Sequence, residues 1–172
     1  MTRNVLQFAG LFVIMVLAQA ICSKICLFNI AVPIIFIYFM VRLPINIGVN
    51  WMMTIGFFLG LTIDIFNNTQ GMNALSCVIL ATLRRPVFRL YMPREDDIAD
   101  IIPSIDTLGL GVFFRYMSTL TVIYCTLLFS IQAFTLMNLS LTIQRIIASS
   151  ILSTILILGF DSLATTHREK RL

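Results

Sequence analysis

The chain has 172 residues, 59% of them hydrophobic, and carries only 12 basic and 8 acidic side chains, so its polar surface is too small to coat a soluble domain of ordinary composition. A net charge of +4 and a pI near 9.1 would fit nucleic-acid binding only if the bases formed a patch on a soluble face, and here they lie between apolar runs. With 14 Phe and a mean hydropathy of +0.96, the composition excludes those classes and makes a bilayer the main solvent.

Divided at its polar breaks, the sequence reads as an all-α, polytopic membrane bundle of about six transmembrane helices in a single domain, 1–172. The helices are expected near 5–21, 27–43, 51–66, 72–90, 108–137 and 139–163, with a loop at 91–107 and a tail at 164–172. The first run follows Arg3 and ends on Ala18-Gln19-Ala20, a small-x-small pattern that also fits a cleaved signal peptide. A retained helix is the preferred reading, because the run has one basic residue before it and more membrane-embedded chain after it. Cys22 and Cys26 come next, with Cys77 and Cys125 far along the chain. Without a nearby His, all four read as small packing residues rather than as a zinc or disulfide site.

The third run contains Gly56 and Gly60, a Gly-x-x-x-Gly spacing that stacks two small residues on one face and admits a second helix at close range. A crossing helix needs about 20 residues. The apolar stretch 72–83 is shorter than that, so the fourth helix is extended past Arg84 and Arg85, whose long stems reach toward headgroups. Pro86 follows them. The one sizeable polar connection, 84–107, mixes four Arg with Glu95, Asp96, Asp97, Asp100 and Asp106. Ile98, Ile101, Ile102 and Ile105 recur in it at helical spacing, which predicts a short helix on the membrane surface near Pro103. Its charges read either as a docking surface for a cytoplasmic partner or as a solvated loop against anionic lipid.

With a cytoplasmic amino terminus, ten of the twelve bases fall inside: Arg3, Arg42, Arg84, Arg85, Arg89, Arg94, Arg115, Arg168, Lys170 and Arg171. Lys24 and Arg145 alone fall outside, so both termini are expected on the cytoplasmic side. Trp51, Tyr38 and Tyr91 fall near the expected interfaces and read as anchoring aromatics.

Four ionisable residues are read as lying inside the membrane rather than at its cytoplasmic edge, Asp64, Arg115, Arg145 and Asp161, and each invites a functional reading because charge is costly at that depth. Asp64 and Arg145 fall at matching depths, which predicts an ion pair between the third and sixth helices, the alternative being that both reach water separately. Asp161 and Arg115 invite the same reading more weakly, near the opposite face. No nucleophile and base come together: the only His is His167 in the charged tail, and phosphate-binding glycine loops are absent. The expectation is a protein that is not an enzyme and takes no cofactor or metal.

The stretch Gly56-Phe57-Phe58-Leu59-Gly60-Leu61-Thr62-Ile63-Asp64-Ile65-Phe66, followed by a polar turn, Gly71 and the small-residue start of the next helix, resembles the characteristic segment of the MreD family. Arg84-Arg85-Pro86 and Pro93-Arg94 also resemble that family's cytoplasmic connection, and the chain length and basic tail are similar. The resemblance implies a non-enzymatic scaffold in the bacterial inner membrane, bound to an MreC-like protein. Directly or indirectly, the scaffold would act with cell-wall synthases and the MreB filament in cell elongation. Gly56, Gly60, Asp64, Gly71, Arg84, Arg85, Pro86, Arg94 and Arg145 are then candidates for structural or partner contact. The family in turn is similar in fold to the substrate-binding subunits of energy-coupling-factor transporters, which leaves a vitamin-type small-molecule binding subunit as the alternative. That alternative requires an outward-facing pocket lined by convergent polar groups.

Overall fold

The computed structural model describes residues 2–23, 31–92, 102–133 and 139–169, and among them the chain is helical with no strand. Seven helices follow in order: α1 (Thr2–Cys22), α2 (Ile37–Arg42), α3 (Val49–Asn67), α4 (Met72–Tyr91), α5 (Ile105–Leu108), α6 (Leu110–Ala133) and α7 (Leu139–Glu169). Val49–Asn67, Leu110–Ala133 and Ser140–Asp161 are long and apolar enough to cross a membrane. In α1 the apolar helix Phe8–Cys22 is shorter, and α4 carries Arg84, Arg85 and Arg89 in its second half.

Packing between α3 and α4 is the most extensive helix pairing, with α6 against α4 and α7 against α6. On α3 the buried positions are Met52, Gly56, Leu59, Gly60, Ile63 and Asp64, a single stripe at helical period. The turn between α3 and α4 uses two left-handed residues, Asn68 (φ 55°) and Gly71 (φ 75°), and marks the turn end of the bundle. Both the Asn68 and Thr69 N–H groups donate to the Asp64 carbonyl, closing α3 with the paired bonds of a helix C-terminus.

Three sequence expectations need correction. The helix expected over 27–43 is not continuous: within its described part only Ile37–Arg42 is helical, and 31–36 is irregular. Pro33 lacks an N–H and disfavours helical conformation in the residue before it, which stops a helix arriving from the N-terminal side, while the Ile34 and Ile35 N–H groups are bonded to neighbouring helices instead of along the chain. At 139–163 the expected helix instead continues to Glu169, through most of the expected tail. Between Ile105 and Leu108 there is a single helical turn, opened by Ser104 and closed by Gly109 (φ 75°), so the fifth long helix begins at Leu110 rather than 108. Ile98, Ile101 and the acidic cluster 95–97 lie outside the described residues, as do Lys24, Cys26 and Arg94.

The irregular segment is buried, and buried backbone needs partners. Neighbouring helices supply them. Ser149 and Ser153 of α7 accept from the N–H groups of Val32 (3.0 Å) and Ile34 (2.9 Å). Gln19 of α1 donates through Nε2 to the Pro33 carbonyl (2.9 Å) and accepts through Oε1 from the Ile35 N–H (2.8 Å). The register has a simple basis: two extended residues span roughly 6.6 Å and four residues of helix roughly 6 Å, so alternate N–H groups meet serines four apart. Phe39 packs edge-on against Phe12 (5.5 Å), so the segment descends antiparallel to α1 and parallel to α7.

Candidate functional site

Polar chemistry inside the bundle gathers at its two ends. Near the turn end, Gly60 brings α3 into backbone contact with α4: a Cβ placed there would lie 2.5 Å from the Ala74 Cα and 2.6 Å from the Asn73 carbonyl oxygen. One turn earlier, a Cβ on Gly56 would lie 3.1 Å from the Cys77 carbonyl oxygen and 3.2 Å from the Met40 Cε. Asp64, one further turn along the same face, therefore reaches the first turn of α4. Its carboxylate accepts from the N–H groups of Asn73 (3.1 Å) and Ala74 (2.9 Å), from Asn73 Nδ2 (2.8 Å) and from the Thr69 hydroxyl. A carboxylate against the free N–H groups and positive dipole end of a helix is stabilised without any basic side chain. Tyr124 of α6 donates to Asn73 Oδ1 (2.6 Å) and joins α6 to the same network.

This arrangement corrects the expected Asp64–Arg145 ion pair, which is not formed. Four donors already surround the Asp64 carboxylate, while Arg145 makes no hydrogen bond or ion pair with another described residue. The expected pairing of Asp161 with Arg115 is also absent. Asp161, fully buried on α7, instead forms an ion pair with Arg42, and Arg115 is exposed. Tyr38 donates to Asp161 (2.7 Å) and accepts from Arg42 (3.0 Å), so it is a buried member of this cluster rather than an interface anchor. The second carboxylate oxygen of Asp161 accepts from the Ile105 N–H (3.1 Å), which ties down α5.

Arg84 and Arg85 hold the bend between α2 and α3. Arg84, 2% exposed, donates to the carbonyls of Val41 (3.1 Å), Leu43 and Pro44 (3.2 Å), and Arg85 donates to those of Ile45 (3.2 Å), Asn46 (3.1 Å) and Ile47 (3.0 Å). Cationic side chains thus close the carbonyl end of α2 and the turns after it. Pro86 is exposed on α4, and Gly71 opens α4 from a backbone conformation that other residues rarely adopt. Gln19, Ser149 and Ser153, which carry much of this bonding, are not singled out as bonding groups by sequence reasoning, and Arg42 is read there only as a charge on the inner side; the Ser-x-x-x-Ser spacing on α7 and the presence of Pro33 were the available signals.

At the turn end a cavity of about 320 Å³ opens between α1, the irregular segment, α3, the start of α4, α6 and α7. Its walls include Ile34, Phe36, Ile63 and Phe129 on the apolar side, and Asn67, Gln132 and Arg145 among the polar groups. Among the described residues no three His, Cys, Asp or Glu side chains gather as a metal site, and Cys22, Cys77 and Cys125 are unpaired. No protein-family model, curated protein or solved structure matches the chain.

Proposed function

We propose that the chain is a non-enzymatic scaffold subunit of a bacterial cell-elongation complex, crossing the inner membrane about six times with both termini in the cytoplasm. Its partners on this reading are an MreC-like protein and, directly or through it, the cell-wall synthases and the MreB filament. The observation that carries the proposal is the use made of the segment that resembles the MreD family. Gly56, Gly60 and Asp64 form a helix joint, with the intramembrane carboxylate fully engaged in capping α4. Charge inside the membrane is expensive, and spending it on rigidity fits a subunit whose purpose is to present fixed surfaces to neighbours. Exposed Ile143, Ile147, Ile151 and Ile155 on α7 supply one such surface, facing lipid or a partner helix.

In the bacterium that encodes it, depletion of the chain should make elongated cells round up and lower incorporation of labelled peptidoglycan precursor along the side wall. Unchanged shape and unchanged incorporation would contradict the proposal. A second reading, a small-molecule binding subunit, is favoured by the cavity, whose 320 Å³ falls within the size range of ligand pockets.

A further inference from the structure

Most polar groups around the cavity are already consumed by the fold. Gln19 is spent on the backbone of 33–35, and Asn73 bridges Asp64, Thr69 and Tyr124. Three lining side chains differ: Asn67 at the end of α3, Gln132 near the end of α6 and Arg145 on α7 make no hydrogen bond to another described residue. They come from three helices and converge on one space. The described lining contains one cation and no carboxylate, and Asp64, the nearest acid in the network, has its donors in place already.

We propose that this cavity binds a small organic anion, with a carboxylate or phosphate group on Arg145. The guanidinium offers a planar fork of donors matched to either group, and the Asn67 and Gln132 amides supply further donors and acceptors around it. Ile34, Phe36 and Phe129 receive the apolar body. At roughly 30 Å³ per water the space holds about ten waters, which suits a head group or a compact aromatic acid rather than a long chain. The anionic group has two sources, the headgroup of a membrane lipid and a water-soluble acid. This inference rests on the second reading only in requiring that the cavity be occupied; the charge of the occupant is the added claim.

Two matched probe pairs test it on the full-length protein purified in a non-ionic detergent. Benzoate is compared with benzamide, and dihexanoyl-phosphatidylglycerol with dihexanoyl-phosphatidylcholine, each by calorimetric titration. The expected result is that at least one anion binds about tenfold more tightly than its uncharged or zwitterionic counterpart, a difference of about 1.4 kcal/mol. Preference within the first pair identifies a soluble acid, and preference within the second a lipid headgroup. Arg145→Gln should erase the preference and Arg145→Lys should keep most of it. Because Arg145 bonds to no other described residue, both variants should unfold at the temperature of the parent protein. Equal binding within both pairs, or a preference that survives Arg145→Gln, would overturn the anion site while leaving the small-molecule reading standing. Failure of all four probes to bind would overturn it as well, and the broader reading would then rest on what co-purifies with the protein.

Discussion

Of the glycines, Gly60 has the least room for a side chain, because the obstacle is backbone. Its added Cβ would meet Ala74 and Asn73 main-chain atoms at 2.5–2.6 Å, whereas at Gly56 one of the two nearest contacts is the flexible end of Met40. Gly60→Ala must therefore push α3 away from α4 and draw Asp64 off its N–H partners, while Gly56→Ala asks only for small adjustments. We expect Gly60→Ala to cost about 1–3 kcal/mol, the usual range for overpacking, and Gly56→Ala clearly less. Denaturant titration of the two purified variants checks this, and equal losses would contradict the geometry. The pairing of small residues at this spacing was legible in the sequence, and so was the presence of Asp64 on the same face. Its partner was not legible, because matching depths selected Arg145 and overlooked the main-chain donors of α4, which carry no signature in the side-chain sequence.

At the level of elements, the unusual feature is the irregular 31–36 segment, buried between α1 and α7 and bonded by Gln19, Ser149 and Ser153. A run of apolar residues reads as a helix whether its backbone is helical or extended, so hydropathy alone places this segment in the membrane without giving its conformation. Pro33 was the residue that distinguished the two. The two serines look like ordinary small packing residues, since their function depends on a segment more than a hundred positions away. Removing both hydroxyls leaves one buried N–H, that of Ile34, and one half-buried N–H, that of Val32, without partners, the buried one worth about 1–3 kcal/mol. The double variant Ser149→Ala, Ser153→Ala should lose several times the stability lost by Ser140→Ala on the exposed start of α7. Indistinguishable unfolding midpoints would mean that other groups satisfy the segment.

Considered as a whole, the molecule joins its ends by different means: a glycine joint with a capping carboxylate at the turn end, and a buried ion pair with two carbonyl-binding arginines at the other. The all-helical class was legible in composition and run length; of the six crossing helices expected there, three described ones are long and apolar enough to span a membrane. Which charges meet follows from the crossing of elements that lie far apart in sequence, as with Arg42 and Asp161, 119 positions apart. Removing one member of such a pair strands a buried charge at a cost of about 3–5 kcal/mol, while replacing both with apolar residues of similar size is often nearly neutral. Arg42→Met and Asp161→Leu should each reduce the folded protein recovered from membranes, and the double variant should recover to well above either. A double variant no better than the singles would show that the Tyr38 and Ile105 bonds to Asp161 matter more than the charge pair.

The scaffold role is tested most directly by purifying the tagged chain from its own membranes in mild detergent and identifying what comes with it by mass spectrometry. Recovery of a single-span MreC-like protein together with cell-wall synthases is the predicted result. Recovery of transporter ATPase subunits in their place would contradict it and assign the cavity to solute uptake.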